Sequence, residues 1–158
     1  GMEMEATTLE MAPNKSKAVQ KIMGQEMVQV FDGEKGYMMQ AGQRMDLPAP
    51  AIEEAKKKRL FEVLSYNAAD FKTVENVTEE GKELYLLAGA GKKLYFDTKT
   101  NLLVKSTSEK GDMVILDYME VDGIKFPKNL KLAMMGQNME MTNNQVIVNK
   151  EVSAEDFK

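Results

Sequence analysis

Three short stretches carry the residue types of a chemical site. Residues 89–94 read GAGKKL. A phosphate loop needs Gly, four residues, then Gly-Lys-Ser/Thr, so that backbone N–H groups cradle the phosphate and a hydroxyl meets magnesium. Here Leu86 holds the first Gly position and Lys93 the hydroxyl position. The match fails, and the stretch reads as a hairpin turn. Residues 97–102 read DTKTNL, which begins like a calcium loop with Asp97 and Asn101. Lys99 occupies the third ligand position and Leu102 the position that requires Gly. The third candidate is the carboxylate pair Glu3 and Glu5, two residues apart on one strand face, where solvation is the ordinary outcome. A glycosidase pair would need a defined separation across a cleft, and sequence spacing does not define one.

The chain has no His and no Cys. That excludes Ser-His-Asp and Cys-His nucleophiles and zinc sites of the His/Cys type. It also excludes a disulfide framework. The expectation is a protein that is not an enzyme, with no cofactor and no metal. Net charge is −4, and the 21 Lys and Arg residues are spread along the chain. The tightest basic run, KKKR at 56–59, follows Glu53 and Glu54 and reads as a solvated helix face. A nucleic-acid footprint needs a clustered basic excess, so no nucleic-acid partner is expected. With 43% hydrophobic and 29% charged residues in 158, the chain supports one packed domain, 1–158. No apolar run approaches the roughly 20 residues of a membrane-spanning helix. A lone Gly1 ahead of a strand-like sequence reads as the scar of a removed tag, with a signal peptide expected upstream.

The elements that must position any site are mostly strands. Residues 2–11 alternate with period two: Met2, Met4 and Ala6 against Glu3, Glu5 and Thr7. Pro13 and Asn14 mark a turn, and 17–23, 26–31 and 35–40 alternate again, making a four-stranded meander. Asp32-Gly33 and Asp122-Gly123 sit between apolar runs and predict type I′ hairpin turns. Over residues 49–66 the period changes. Ile52, Ala55, Leu60, Val63 and Leu64 recur near 3.6 spacing after Pro48 and Pro50, with Glu early and Lys/Arg late. This predicts one amphipathic helix that lies on something apolar. Strands resume at 70–77, 82–88, 93–96, 102–109, 111–121 and 124–135, with a last one from 139 to 152. About ten short strands and one helix predict an α+β fold: a strongly curved antiparallel sheet, an unclosed barrel, with the helix on its concave face.

Methionine is the compositional outlier, with 14 Met against 6 Phe and no Trp. It clusters as Met2/Met4, Met23/Met27, Met38/Met39, Met134/Met135 and Met139/Met141. Met fills irregular cores and also lines adaptable apolar surfaces. Adjacent pairs point to opposite faces of a strand, which leaves one of each for a ligand or a partner.

Several segments together resemble the lipoprotein-localisation-factor family (LolA/LolB-like), and more broadly the lipoprotein-sorting-like domains of Gram-negative bacteria. QVFDGEKGYMM at 29–39 is similar to the family's strand–Asp-Gly–strand segment. LYFDTKTNLLVKS at 94–106 resembles its Tyr-x-Asp-x-x-Thr-x-Leu-x-x-Lys hairpin through Tyr95, Asp97, Thr100, Leu102 and Lys105. DYMEVDGIKFPKNLKL at 117–132 resembles a further segment through Asp117, Tyr118, Val121, Asp122, Gly123 and Pro127. The closing VNKEVSAEDFK completes the layout. The likeness covers about two thirds of the chain. Some such domains are appended to insulinase-type zinc peptidases, and no peptidase motif occurs here. The resemblance implies an unclosed barrel around an apolar cavity, a periplasmic or outer-membrane-associated location, and an acyl chain, lipid or lipoprotein as partner. On that expectation Leu60, Phe61 and Leu64 of the helix face the cavity. Met38, Tyr95 and Met134 line it from the strands. Ordinary helix-on-sheet packing accounts for the same residues. The alternative function is a structural or interaction domain of a larger envelope protein, with no small ligand.

Overall fold

The computed structural model describes residues 4–22, 24–134 and 136–158. Met2, Glu3, Met23 and Met135, which the alternation places on strands or in methionine clusters, lie outside them. The described chain forms two antiparallel meanders. The first orders β1 (Met4–Met11), β2 (Lys15–Ile22), β3 (Gln25–Phe31), β4 (Gly36–Gln40) and β5 (Gln43–Asp46) side by side. The second runs from β6 (Thr73–Glu79) through β7 (Lys82–Gly89), β8 (Lys92–Asp97), β9 (Leu103–Ser108), β10 (Gly111–Val121) and β11 (Ile124–Met134) to β12 (Gln137–Thr142). Neither sheet closes: β1 and β5 are the edges of the first, β6 and β12 of the second. In chain order β5 is followed by α1 (Ala49–Lys57), the one α-helix among the described residues. Contacts gather into two compact units. One holds the first meander, α1 and Asn149–Lys158; the other is Asn67–Val148.

Turn chemistry sets the strand pairing. Asp122 and Gly123 sit alone between the paired residues Val121 and Ile124, at φ 51° and 80°. That is the type I′ turn its sequence predicts, and Gly supplies the second positive φ without a Cβ penalty. Asp32-Gly33 behaves differently. β3 and β4 close at Phe31 and Gly36, leaving a four-residue loop. The Asp32 N–H donates to the Lys35 carbonyl (2.9 Å), and the Asp32 carboxylate accepts from the N–H groups of Glu34 (2.8 Å) and Lys35 (2.7 Å). An aspartate that caps its own loop in this way favours a longer connection over a two-residue turn.

Three boundaries differ from the sequence expectation. A fifth strand, β5, follows β4 across the turn at Ala41 and Gly42, which lacks an Asn-Gly or Asp-Gly signal. β12 ends at Thr142, short of 152. The helix stops at Lys57 rather than running to 66, and Lys58 is extended. The Lys56 carbonyl, which a continuing helix would bond to the N–H of Leu60, accepts from Asn14 Nδ2 (3.4 Å). Lys58 Nζ meets Glu10 Oε1 at 2.7 Å. The end of α1 is thus tied to the β1–β2 turn. A 3-10 turn, Glu62–Ser65, takes up the later apolar positions.

The first unit is pinned by the chain's last residues. The Asp156 carboxylate accepts from the N–H (2.7 Å) and hydroxyl (3.0 Å) of Ser153, closing a capped 3-10 turn, Ala154–Phe157. This turn packs against β2 and buries Phe157 to 1% exposure, beside a core that includes Val30. Replacing a buried Phe by Ala removes its transfer energy and leaves a cavity. Phe157→Ala is expected to cost about 3–5 kcal/mol, read as a lowered urea midpoint at unchanged slope. A loss near zero would mean that the C-terminal turn is not part of the core.

Candidate functional site

Paired residues of an antiparallel ladder share a face of the sheet, so the registers of the second unit define its two surfaces. One lateral row crosses all seven strands: Met139, Leu132, Met113, Ser106, Leu94, Leu87 and Val74. Six of these seven are apolar. The row beside it runs through Met141, Leu130 and Ile115 on the same face. The opposite face carries a row of Glu140, Lys131, Val114, Lys105, Tyr95, Leu86 and Glu75. There Lys131 pairs with Glu140 (3.2 Å) and Lys105 with Glu79 (2.8 Å), with the Lys105 ammonium 4.8 Å from the centre of the Tyr95 ring. Glu79 holds Lys105 above the ordinary lysine range. The sheet therefore has one face whose lateral row is apolar but for Ser106, and an opposite face that mixes ion pairs with the buried side chains of Leu84 and Tyr95.

The apolar face is uneven in cover. Leu94 at its middle is 1% exposed, whereas Val74 at one end is 71% exposed and Met139 at the other 40%. Met134 and Met141 lie at the same end as Met139 and are also exposed. A run of partly open apolar side chains rimmed by charge is the surface that apolar ligands or partners use. Flexible thioethers at one end let that surface adapt to the shape it meets.

The first unit contains a cleft of about 460 Å³, within the size range of small-molecule sites. Its floor is Val30, Leu47, Ile52 and Phe157, together with Gly36. A Cβ at Gly36 would stand 2.6 Å from Leu47 Cδ1 and 2.7 Å from the Val30 carbonyl oxygen. Only Gly lets these groups close the floor. Tyr37 forms one wall, its hydroxyl donating to the Lys158 carbonyl (3.0 Å) and its ring carrying the Arg44 guanidinium at 3.8 Å. Arg44 Nε is 3.7 Å from Asp46 Oδ1. Asp32 also lines the cleft, but its carboxylate is spent on its own loop. The N–H groups of Lys35 and Glu34 hold it below the usual carboxylate range. The geometry is that of a binding cleft, with an apolar floor and a polar rim.

The six residues expected from sequence fall in different places. Met38 projects from the face of the first sheet opposite to Val30 and Tyr37, which line the cleft. Leu60 lines a shallow recess of about 10 Å³ beside Glu10 and Lys58, barely the size of one water. Phe61 is half-buried just before the 3-10 turn, and Leu64 within that turn is 64% exposed. In the other unit Met134 lies on the apolar face, two residues along β11 from Leu132, and Tyr95 lies buried on the charged face under Lys105. The row through Leu132, Met113, Leu94 and Leu87 escaped sequence reading. Each strand's alternation was visible, but the faces of neighbouring strands align only once the register is known.

The family-motif residues do structural work. The Asp97 carboxylate accepts from the N–H groups of Lys99 (3.0 Å) and Thr100 (2.8 Å) and from the Thr100 hydroxyl (3.0 Å). The Tyr118 hydroxyl donates to the Leu103 carbonyl (2.6 Å), tying β10 to the start of β9 beyond the last paired residues, Val114 and Lys105.

No family model matches the chain, and no curated protein matches it. Among solved structures, a DUF1329 family protein from Desulfovibrio piger ATCC 29098 is similar at a TM-score of 0.54 and 10% identity, over 99% of this chain and 81% of its own. A LolA superfamily protein from Nitrosomonas europaea reaches a TM-score of 0.48 at 10% identity, over 99% of this chain and 87% of its own. The first of these likenesses supports the fold over nearly the whole chain and bears on the fold alone.

The cleft loop carries a pH dependence of definite sign. The folded pKa of Asp32 is lowered from 3.8, so its ionised form stabilises the fold. That contribution is full above 3.8 and is lost as pH falls through the folded value. Wild type is expected to exceed Asp32→Asn in urea midpoint at neutral pH, with the gap closing below pH 3.8. A gap that stays constant across that range would show that the ionised carboxylate adds nothing.

Proposed function

We propose that this protein is a non-catalytic module of the bacterial cell envelope, LolA/LolB-like, that shields an apolar ligand: an acyl chain, a lipid or the lipid part of a lipoprotein. One observation carries the reading, the lateral row of Met139, Leu132, Met113, Leu94, Leu87 and Val74 with its ends open to solvent. The open ends of such an apolar face can take up hydrocarbon, and Met134 and Met141 widen the methionine end. The ordered segments through Tyr95, Asp97, Lys105, Tyr118 and Asp122 add the family resemblance. A periplasmic or outer-membrane-associated location follows from that resemblance, as does attachment to a larger envelope protein, an insulinase-type peptidase among them.

A second reading is favoured by β12, an edge strand exposed at every residue from Gln137 to Thr142. An unpaired edge accepts another chain's strand. On that reading the protein is an interaction domain, and the methionines meet a protein partner.

Organic extraction of the purified protein followed by mass spectrometry separates the two. A stoichiometric acyl lipid is expected. In a series of fatty acids, each added methylene should tighten binding by about 0.8 kcal/mol, close to fourfold. Met139→Lys, which places an ammonium at the exposed end of the row, is expected to weaken binding by about tenfold, because burying a charge there is costly. An empty extract, with affinity independent of chain length, would overturn the lipid reading and leave the interaction domain.

A further inference from the structure

The apolar reading uses none of the six methionines among the described residues of the first meander, and three of them, on the neighbouring strands β3, β4 and β5, stand together on one face. Met38 in β4 pairs directly with Met45 in β5. The β3 partner of Met38 is Gln29, so Met27, two residues from Gln29, lies one diagonal step away on the same face. Directly opposed residues stand about 4.5–5.5 Å apart at Cβ, and diagonal ones about 7–8 Å. An unbranched methionine side chain has the reach and the torsional freedom to close both gaps. Met45 is on an edge strand and 47% exposed, which gives solvent access; Met27 and Met38 are half-buried.

The setting of these thioethers is uniform. Their neighbours across the strands on that face are Ala18, Gln20, Gln29, Gln40 and Gln43, all uncharged. Arg44, Asp46, Lys17, Lys21 and Glu26 alternate onto the other face. We propose that Met27, Met38 and Met45 form a thioether site for a soft monovalent cation, Cu(I) or its redox-inert counterpart Ag(I). Thioether sulfur selects such ions, whereas zinc wants imidazole or thiolate, and magnesium and calcium want oxygen. The chain has no His or Cys to offer a stronger site, and no carboxylate group suited to a metal occurs among the described residues. The carboxylate that shares this face, Glu10 in β1, is paired with Lys58, so the immediate surroundings of the thioethers are neutral. Leucine would fill the same apolar space, so sulfur is what distinguishes a metal site from an apolar patch.

The test uses that difference. Wild type is expected to bind one equivalent of Ag(I) by calorimetry and to withdraw Cu(I) from a chromophoric chelator. Each of Met27→Leu, Met38→Leu and Met45→Leu removes a ligand and should weaken Ag(I) binding by at least the roughly tenfold that loss of a ligand's hydrogen-bonding partner costs, and the triple variant should abolish it. Met139→Leu should leave it unchanged, and fatty-acid binding should survive in the triple variant. Methionine methyl NMR of wild type needs no variant to fold: Ag(I) should shift the three methyl signals of Met27, Met38 and Met45. No binding, unchanged affinity in the triple variant, or shifts at other methionines would each overturn the proposal.

Discussion

A two-residue turn leaves no slack in strand register, and the faces of both sheets depend on that. Among the described residues, four such turns have both turn residues at positive φ, at the pairs Gln40–Gln43, Glu79–Lys82, Gly89–Lys92 and Val121–Ile124. A slip of one residue would turn every side chain of a strand to the other surface. In the second unit it would put Leu132 or Leu94 among Lys131, Lys105 and Glu140, and would break the ion pairs of Lys105 and Lys131. The apolar row exists because hairpin after hairpin keeps the same phase. Where the phase changes, the ladder shows it: β10 and β11 shift register around Asp117, and the Tyr118 hydroxyl takes over the contact with β9.

The two units handle apolar surface in different ways. The first closes a core around Val30, Phe31 and Phe157, and sets a cleft beside it. Most of the polar groups around that cleft are already engaged: Asp32 with its loop, Arg44 with Tyr37 and Asp46, Tyr37 with the Lys158 carbonyl. The second unit has a fully buried centre, with Leu94, Ile115 and Leu130, and leaves the ends of the same face open. Its charged face shows why the arrangement is stable in water. Lys105 and Glu79 are paired, and among the described residues no buried side-chain nitrogen or oxygen lacks a partner. Exposed pairs of this type add little energy individually. They make the exposed parts of that face wettable, while Leu84 and Tyr95 on it are buried.

Methionine connects sequence and surface. Leu and Ile would bury as well, but they offer fewer shapes. Met134, Met139 and Met141 gather at the β11–β12 end, and Met27, Met38 and Met45 gather on one face of the first meander. The same residue type thus stands in two different chemical settings. One adjoins a long apolar row; the other is ringed by glutamines and an alanine.

Much of this was legible in the amino-acid string. Absence of His and Cys excluded whole classes of catalysis, and period-two alternation located the strands. Asp122-Gly123 announced its turn, because an Asp-Gly pair accepts two positive φ angles at little cost. Asp97 and Asp32 announced turns as well, though Asp32 caps a four-residue loop where the same dipeptide predicted two. Other features were decided only in three dimensions. The helix period ran on to residue 66, but the chain left the helix at Lys58, because Asn14 and Glu10 engage its end. Nothing in the amino-acid pattern singled out Phe157, and tertiary packing made it core. The apolar row and the thioether trio needed register, which is a relation between strands. Alternation tells each strand which residues share a face, and only pairing tells neighbouring strands which faces meet.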